Sequence, residues 1–417
     1  MTDQEVQLLL ADLAIIILLA RLLGTAAARL GQPPVLGEIV AGILLGPTFF
    51  HGHISATLFP LTLRPALSAL ANIGVVIFLF AVGYQLDQRL FRGRERVAVS
   101  VSVGSVILPL SLGTWLGVWL AGRHHVHHVL PFALFVGTAM SVTAFPVLAR
   151  ILTDRGMHRT RIGAIALASA AMDDVLAWLL LIAVVAIAGA GGQQLRLLLA
   201  PVYAGVMFFV VRPLLRKLAD GDRSFTPSVL ATVLAGLLLS SYATDWMGVK
   251  FFFGAFLFGV VMPREGAAAV ALREEILGRL EQVSVLVLLP VFFVVSGLSV
   301  NLSSVGLSGL VELSLILVVA IVGKFGGAFA GASIAGCRGR RAGILATLMN
   351  TRGLTEIVIL SVGLQLHILD PALFSLMVVM AIVTTAMAGP LLQLIYPKRW
   401  VQEDIEEADS VTLETAA

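Results

Sequence analysis

The sequence is poor in charged residues and in cysteine, and each shortage excludes a class of protein. Only 13% of its 417 residues are charged, whereas 58% are hydrophobic and the mean hydropathy is +0.98. Soluble domains carry about 25% charged residues, so this composition excludes a water-soluble fold and a disordered chain. Cys337 is the only cysteine, which excludes an intramolecular disulfide and a zinc-finger metal site. The net charge of +3 gives no support to nucleic-acid binding.

The N-terminal segment lacks the basic residues of a secretory signal peptide. Asp3 and Glu5 are its only charges before the first apolar run, so we expect the segment to be retained as a membrane helix. A span needs about 20 apolar residues, and runs of that kind dominate the chain. The thirteen predicted spans are 5–23, 34–50, 66–86, 97–121, 129–152, 160–189, 195–217, 225–243, 246–263, 276–298, 308–335, 341–364 and 371–396.

The basic residues are distributed unevenly between alternate loops. With the N-terminus outside, 22 of the 28 Lys and Arg residues fall in cytoplasmic loops and 4 in outer loops. An excess of Lys and Arg marks the cytoplasmic side. The sequence therefore predicts an all-α, multi-pass protein of the cell (inner) membrane, with the lipid bilayer around it, its N-terminus outside and its C-terminus cytoplasmic.

The odd number of spans predicts two halves of opposite topology. A first repeat covers about 1–190, a linking helix about 195–217 and a second repeat about 225–397, which together form one membrane domain over 1–397. A short acidic cytoplasmic tail is expected over 398–417. Inverted repeats of this kind are typical of secondary transporters.

Each half also contains a helix breaker in its fifth span. The first break contains Ser141 and Pro146, and the second contains Asn350 and Arg352. Interrupted spans at matching positions indicate a binding site near the membrane centre, because freed backbone groups are tolerated only where they line a cavity or are buried in protein. The alternative is a proline kink and a polar cap in two buried helices.

Two adjacent carboxylates in the sixth span require an explanation. Asp173 and Asp174 lie near mid-span, where a charge costs at least about 2.5–3.5 kcal/mol. Lys324 in span 308–335 is the predicted partner of one of them, and the glycines beside it allow close helix packing. Neighbouring helical residues point about 100° apart, so the other aspartate faces the crossing of the broken helices. The sequence leaves open which aspartate pairs with Lys324 and which faces the broken helices. For the aspartate that pairs with Lys324, the alternative is an ion pair with a purely structural role.

Three further residues near the breaks complete the candidate site. The Thr143 hydroxyl suits a hard cation that prefers oxygen ligands, or it caps the broken helix. Arg352 and Glu356 are four residues apart and can pair on one helix face in a structural role.

Four histidines cluster between the fourth and fifth predicted spans, at 124, 125, 127 and 128. They predict a solvated outer loop that gains positive charge on acidification. A metal site is the alternative.

These residues favour a secondary transporter that exchanges Na⁺ or K⁺ for H⁺ and has no enzymatic activity and no cofactor. Three rivals remain: a sodium-coupled organic-anion symporter, an intramembrane aspartyl protease and a channel. The protease would need two carboxylates that converge on one water, whereas adjacent helical aspartates diverge.

The stretches GQPPVLGEIVAGILLGPT, SVTAFPVLARIL, FFFGAFLFGVVMPRE and MNTRGLTEIVIL resemble the second branch of the monovalent cation:proton antiporter superfamily. That branch includes plant cation/proton exchangers, potassium-efflux antiporters and electrogenic bacterial sodium/proton antiporters. The resemblance implies an elevator-type core with two crossed broken helices, a dimerisation domain and a homodimer. By position it implies that Asp174 binds the cation or the proton, that Asp173 pairs with Lys324, and that Thr143 lies near the ion. Plant exchangers typically have asparagine at the position of Asp173, so the aspartate here favours electrogenic exchange.

Overall fold

The structure is a computed structural model, and its described part contains helices but no strand. The described residues are 2–49, 52–60, 62–85, 95–124, 126, 128–157, 160–188, 199–219, 227–247, 250–264, 267–303, 306–397 and 400–403. The acidic tail predicted over 398–417 lies outside these residues except for 400–403.

We number the helices of the described part in chain order. They are α1 (Asp3–Arg29), α2 (Pro34–Leu45), α3 (His53–Leu58), α4 (Arg64–Gln85), α5 (Glu95–Arg123), α6 (Val129–Ser141), α7 (Phe145–Asp154), α8 (Arg161–Ile187), α9 (Ala200–Val206, π-helical Met207–Val211 and Arg212–Ala219), α10 (Pro227–Trp246), α11 (Phe251–Val261), α12 (Ala267–Val283, π-helical Ser284–Leu288 and Leu289–Leu298), α13 (Leu307–Ile334), α14 (Arg340–Met349), α15 (Leu354–Gln365) and α16 (Pro371–Ile395).

Seven of these helices are long and apolar enough to cross a membrane: α1, α4, α5, α8, α10, α13 and α16. Five apolar helical stretches of 10–17 residues lie in five of the six other predicted spans, and the span predicted over 195–217 has none among its described residues. One predicted boundary is wrong, because α10 continues to Trp246 and the following helix covers only Phe251–Val261. Asp245 lies in the last turn of α10, so this charged residue does not end the helix. The count of thirteen spans stays a prediction.

The chain forms two compact units, each assembled from separate segments. The first unit comprises Met1–Ala20, His53–Asp87 and Gly189–Val295. Within it, α11 packs against α4 and α10, and the Tyr84 hydroxyl donates to the carbonyl oxygen of Pro263 at 3.1 Å.

The second unit contains every candidate site residue named from the sequence. It comprises Arg21–Gly52, Gln88–Ala188 and Ser296–Ala417, and thus combines α5–α8 with α13–α16 from opposite halves of the chain. Within it, α5 packs against α6, α8 and α13. The division into two sequence repeats stays a prediction.

Both predicted helix breaks are present in the second unit. The first lies between α6 and α7 and the second between α14 and α15. The backbone N–H of Ala144 donates to the carbonyl oxygen of Thr351 at 3.1 Å, so the two breaks are hydrogen-bonded to each other. Pro146 directly follows the first break. It lies in the first turn of α7, where its missing N–H removes no helical hydrogen bond.

The packing of α5 against α13 depends on glycine. A Cβ atom added to Gly327 would fall well inside contact distance of the carbonyl oxygen of Gly104, so the two backbones touch directly. A Cβ atom on the neighbouring Gly326 would meet only the flexible end of Leu108, at 3.4 Å. The contact between the helices therefore requires glycine at position 327 but not at position 326.

A network of charges ties the ends of three helices together in the second unit. His124 follows α5, and its Nδ1 contacts Asp370 while its Nε2 lies 3.2 Å from Glu312 of α13. Arg123 also pairs with Glu312, with 2.5 Å between Nε and Oε1. Asp370 caps the N-terminus of α16 by accepting from the Leu373 N–H at 2.8 Å. Because both ring nitrogens of His124 face carboxylates, both must carry protons in this arrangement.

The network corrects the simple interpretation of a solvated histidine loop, because the side chain of His124 is only 11% exposed. His125 and His127 lie outside the described residues, and no group of three metal-ligating His, Cys, Asp or Glu side chains occurs among the residues that are described. The hydrogen bond to Asp370 is the main cause that raises the pKa of His124 above its ordinary value. Acidification therefore protonates His124 within this network and stabilises its contacts with the two carboxylates.

We expect Gly327→Ala to lower the thermal unfolding midpoint in detergent, whereas Gly326→Ala keeps or raises it. Alanine favours a helix over glycine by about 1 kcal/mol at both positions. At Gly327 the added methyl group forces α5 and α13 apart, and overpacking of this kind costs about 1–3 kcal/mol. Equal midpoints for the two variants would contradict a direct backbone contact.

We expect His124→Gln to destabilise the protein at low pH and to lose that effect as the pH rises. The folded pKa of His124 is raised, so its stabilisation is complete below the ordinary value near 6.5 and disappears as the pH passes through the folded pKa. Thermal unfolding of both proteins from pH 5.5 to 9 measures the difference. His128→Gln, at an exposed position, is the control. A constant difference at all pH values would rule out the charged form of His124.

Candidate functional site

Helix α8 carries both aspartates into the interior of the second unit. The Thr160 side chain caps its N-terminus by accepting from the Gly163 N–H at 3.0 Å. Asp173 is 0% exposed and Asp174 is 2% exposed. Because they are adjacent on a helix, their side chains point to different neighbours, as the sequence predicted.

Asp173 is surrounded by hydrogen-bond donors. Its Oδ1 accepts from the Ser102 hydroxyl at 2.6 Å. Its Oδ2 accepts from the hydroxyls of Ser105 at 2.7 Å and Thr143 at 2.6 Å, and from the Lys324 ammonium at 3.0 Å. A carboxylate offers about four acceptor sites, and Asp173 has four donors around it.

Lys324 is equally well satisfied. Besides Asp173, its Nζ donates to the carbonyl oxygens of Ser105 at 3.1 Å and Ser141 at 2.5 Å. Both carbonyls are free for structural reasons. Pro109 in α5 has no N–H to bond the carbonyl four residues before it, and Ser141 ends the broken helix α6. The three ammonium protons thus have three acceptors, and the lysine is fixed between α5, α6 and α8.

Asp174 faces the two helix starts that follow the breaks. Its carboxylate accepts from the Thr355 hydroxyl in the first turn of α15 at 3.2 Å, and it lies near the backbone N–H of Phe145 at the start of α7. Helix N-termini carry partial positive charge and favour an anionic group. The second aspartate therefore meets both broken helices, and among the described residues it accepts fewer hydrogen bonds than Asp173.

Arg352 neutralises the opposite end of the first break. Its guanidinium donates to the carbonyl oxygens of Ala139 at 3.3 Å and Met140 at 2.8 Å, the last residues of α6. It also pairs with Glu356, with 3.1 Å between Nη1 and Oε1, as the spacing predicted. A cation at a helix C-terminus is stabilised by the negative end of the helix dipole. Both side chains are 0% exposed, which fits a structural role.

Several buried polar atoms beside this pair have no hydrogen-bond partner. In the described part of the chain they include Oγ1 of Thr138, Oδ1 of Asn350, Nε of Arg352 and Oε2 of Glu356. Buried polar atoms of this kind are normally satisfied by ordered water. The region around the breaks is therefore polar enough to be hydrated.

The structure brings most of the predicted site residues together and adds three that the sequence analysis missed. The Thr143 hydroxyl contacts Asp173 and lies 3.1 Å from the carbonyl oxygen of Met349, so it does not touch Asp174 directly. The missed residues are Ser102, Ser105 and Thr355, whose hydroxyls contact the two carboxylates. The serines stand three residues apart in an apolar span, which was a usable signal, but a hydroxyl in a helix more often bonds its own backbone.

The two adjacent aspartates therefore have different surroundings. Asp173 and Lys324 form a buried ion pair whose contacts link α5, α6, α8 and α13. Asp174 is a buried carboxylate at the helix crossing, with the Thr355 oxygen beside it, and can accept either a proton or a small cation.

Comparison with known proteins identifies the family of this chain. The family described as "sodium/hydrogen exchanger, transmembrane" matches residues 14–397. The chain is 37% identical over 411 residues to the Na⁺/H⁺ antiporter NhaS4 of Synechocystis sp., covering 95% of this chain and 99% of that protein. It is 34% identical to cation/H⁺ antiporter 20 of Arabidopsis thaliana and 32% identical to K⁺/H⁺ antiporter 1 of Saccharomyces cerevisiae. Those two matches cover 96% and 95% of this chain but only 50% and 47% of the relatives, so it spans about half their length.

The fold is similar to that of the sodium proton antiporter MjNhaP1 from Methanocaldococcus jannaschii. The TM-score is 0.68 at 16% sequence identity, over 96% of this chain and 99% of that structure. At this identity the likeness concerns the fold alone. The apolar helices and the family match together make the protein a multi-pass membrane protein. The chain belongs to the transmembrane sodium/hydrogen exchanger family.

Proposed function

We propose that this protein is a secondary transporter that exchanges Na⁺ or K⁺ for H⁺ across the membrane. The observation that carries the proposal is the unequal environment of two adjacent buried carboxylates. Asp173 is occupied by four donors, whereas Asp174 faces the crossing of the broken helices. One of the two acids is thus left for a transported ion.

Exchange follows from competition at Asp174. Its carboxylate binds a proton or a cation but not both, so a cation that arrives on one side displaces a proton that leaves. The Thr355 hydroxyl, which donates to the free carboxylate, can turn its oxygen toward a bound cation and serve as a ligand. No hydrolysis or cofactor is needed for this coupling.

Transport also requires that Asp174 become accessible from each side in turn. Its 2% exposure means that a cation reaches it only after a movement. The family resemblance supplies the form of that movement: a core that contains the broken helices moves like an elevator against a dimerisation domain in a homodimer. The excess of Lys and Arg in alternate loops supports an N-terminus outside and a C-terminus in the cytoplasm.

The Asp173–Lys324 pair makes the exchange electrogenic. Asp174 lies within electrostatic range of both members of the pair. A cation at Asp174 repels the Lys324 ammonium, which weakens the pair, and an N–H bond of Lys324 Nζ then breaks to release a second proton besides the one from Asp174. More than one proton then moves for each cation.

We expect Asp174→Asn to abolish cation-driven proton movement in proteoliposomes that contain a pH reporter. An amide can neither release a proton nor neutralise a cation. Asp245→Asn, an exposed carboxylate at the end of α10, is the matched control and should keep wild-type exchange. Sustained exchange by Asp174→Asn would refute the assignment of the ion-binding residue.

The same vesicles identify the cation and the charge balance. Pulses of Na⁺, Li⁺, K⁺ and Rb⁺ rank the substrates of the wild-type protein. An imposed membrane potential changes the exchange rate if net charge moves in each cycle, and a rate that is independent of potential would contradict electrogenic exchange. Cation-dependent current without counterflow of protons would instead identify a channel.

We expect Thr355→Val to raise the cation concentration for half-maximal exchange about tenfold, with Thr355→Ser close to wild type. A hydrogen bond to a charged group contributes about 1.5–3 kcal/mol, and valine removes the hydroxyl at nearly constant volume. Thr384→Val is the control, because that buried hydroxyl bonds the Met380 carbonyl of its own helix. An unchanged half-maximal concentration in Thr355→Val would exclude this hydroxyl from the cation site.

A further inference from the structure

The chain that follows α16 packs back onto the start of α14. Tyr396 and Val401 are each 5% exposed. Between them, the ring of Trp400 lies against the guanidinium of Arg340, the first residue of α14. Nε of Arg340 also donates to the carbonyl oxygen of Ile395, the last residue of α16, at 2.6 Å. These contacts anchor the chain close to residue 403, where the described part ends.

Two further exposed arginines stand beside Arg340 in the sequence. The side chains of Arg338 and Arg341 have no hydrogen bond and no ion pair with any other described residue. Helix α14 starts after Gly339 without a side-chain cap and without an acidic residue in its first turn. Because helix N-termini carry partial positive charge, they favour nearby anions. Arg338, Arg340 and Arg341, which we call the arginine cluster, thus present positive charge that no described carboxylate pairs with.

The residues beyond this anchor carry the opposite charge. Six acidic residues and no Lys or Arg follow position 399: Glu403, Asp404, Glu406, Glu407, Asp409 and Glu414. An extended chain spans at most about 3.6 Å per residue, so Asp404 lies within about 15 Å of Trp400 and hence within reach of the arginine cluster. Exposed ion pairs are individually weak, but a short tether gives a high effective concentration, so several weak pairs can act together.

We propose that this acidic tail, residues 403–414, docks on the arginine cluster of its own chain. Its carboxylates pair with Arg338 and Arg341 and accept from the free N–H groups at the start of α14. Trp400 on Arg340 directs the tail toward them. Anionic lipid headgroups are the competing occupant of an arginine cluster at a membrane surface, but they have no tether. The docking does not rest on ion exchange at Asp174.

The single native cysteine provides the test, because Cys337 directly precedes the arginine cluster and is partly exposed. With Ala408→Cys as the second cysteine, a mild oxidant should form a disulfide between Cys337 and the tail of the full chain in detergent. Ala408 carries no charge, so the tail keeps its six carboxylates. Neighbouring arginines also increase the reactivity of a thiol. The rate of disulfide formation is therefore divided by the rate at which Cys337 alone reacts with N-ethylmaleimide in the same variant.

Reversing the charge of the cluster with Arg338→Glu and Arg341→Glu should lower this normalised rate at least fivefold, because the tail is then repelled. The matched control is Arg216→Glu with Lys217→Glu. It changes the net charge equally at two exposed positions in the last turn of α9 and should leave the rate unchanged.

Reversing the charge of the tail should also lower the rate at least fivefold, with the substitutions Glu403→Lys, Asp404→Lys, Glu406→Lys and Glu407→Lys. The reversed tail combined with the reversed cluster should bring the rate back to within threefold of the parent. Such a restoration requires direct pairing of the two segments, and it keeps the test valid if one reversal alone destabilises the protein.

A normalised rate that neither reversal changes would overturn the proposal, as would a doubly reversed protein that is as slow as the single reversals. A disulfide-linked product of twice the chain mass, in place of the internal link, would put the tail on a second copy and also overturn it.

The same reaction in bilayers decides between the tail and lipid. An unchanged rate when phosphatidylglycerol is added to phosphatidylcholine would support the tail as the occupant. Loss of the internal link on that addition would assign the arginine cluster to lipid headgroups and overturn the proposal. Transport is not part of any readout, so these outcomes are independent of the exchange mechanism.

Discussion

The ion pair between Asp173 and Lys324 is the interaction on which the remaining structure of the site depends. Separating two charges from water is costly unless their remaining hydrogen-bonding capacity is also used. Here the carboxylate accepts from three hydroxyls besides the ammonium, and the ammonium donates to two backbone carbonyls besides the carboxylate. These partners come from α5, α6, α8 and α13 and from the first break, so the pair fixes the position of Asp174 as well.

Three freed carbonyls in the described part of the chain are satisfied in the same way. At each of them a proline or a helix end leaves the carbonyl without its helical partner, and a long polar side chain from another segment donates to it. Lys324 bonds the carbonyl that Pro109 frees, and Gln32 bonds the one that Pro390 frees. Arg352 does the same at the end of α6. In lipid no water can satisfy such groups, so each break requires its own donor, and the polar residues of the spans concentrate there.

Much of the site could be predicted from the sequence because its signals are local. Two breakers at matching positions, an Arg352–Glu356 spacing of four and a lysine in an apolar span each have few physical explanations. The residues alone left open which aspartate pairs with Lys324, since that depends on the rotation of α8 within the second unit, and only the family resemblance assigned the pairing to Asp173. The contacts of Ser102, Ser105 and Thr355 with the carboxylates could not be predicted for the same reason, because they depend on how the helices pack. A hydroxyl in an apolar helix normally bonds its own backbone, and only tertiary packing brings these three to carboxylates.

The contact between Gly104 and Gly327 has a mechanical consequence. Where two helix backbones touch without intervening side chains, no rotamer change can accommodate sliding of one helix along the other. Helices α5 and α13, which come from opposite halves of the chain, therefore resist sliding past each other. Any displacement of Lys324 carries Ser102 and Ser105 with it, so these hydroxyls stay beside the lysine.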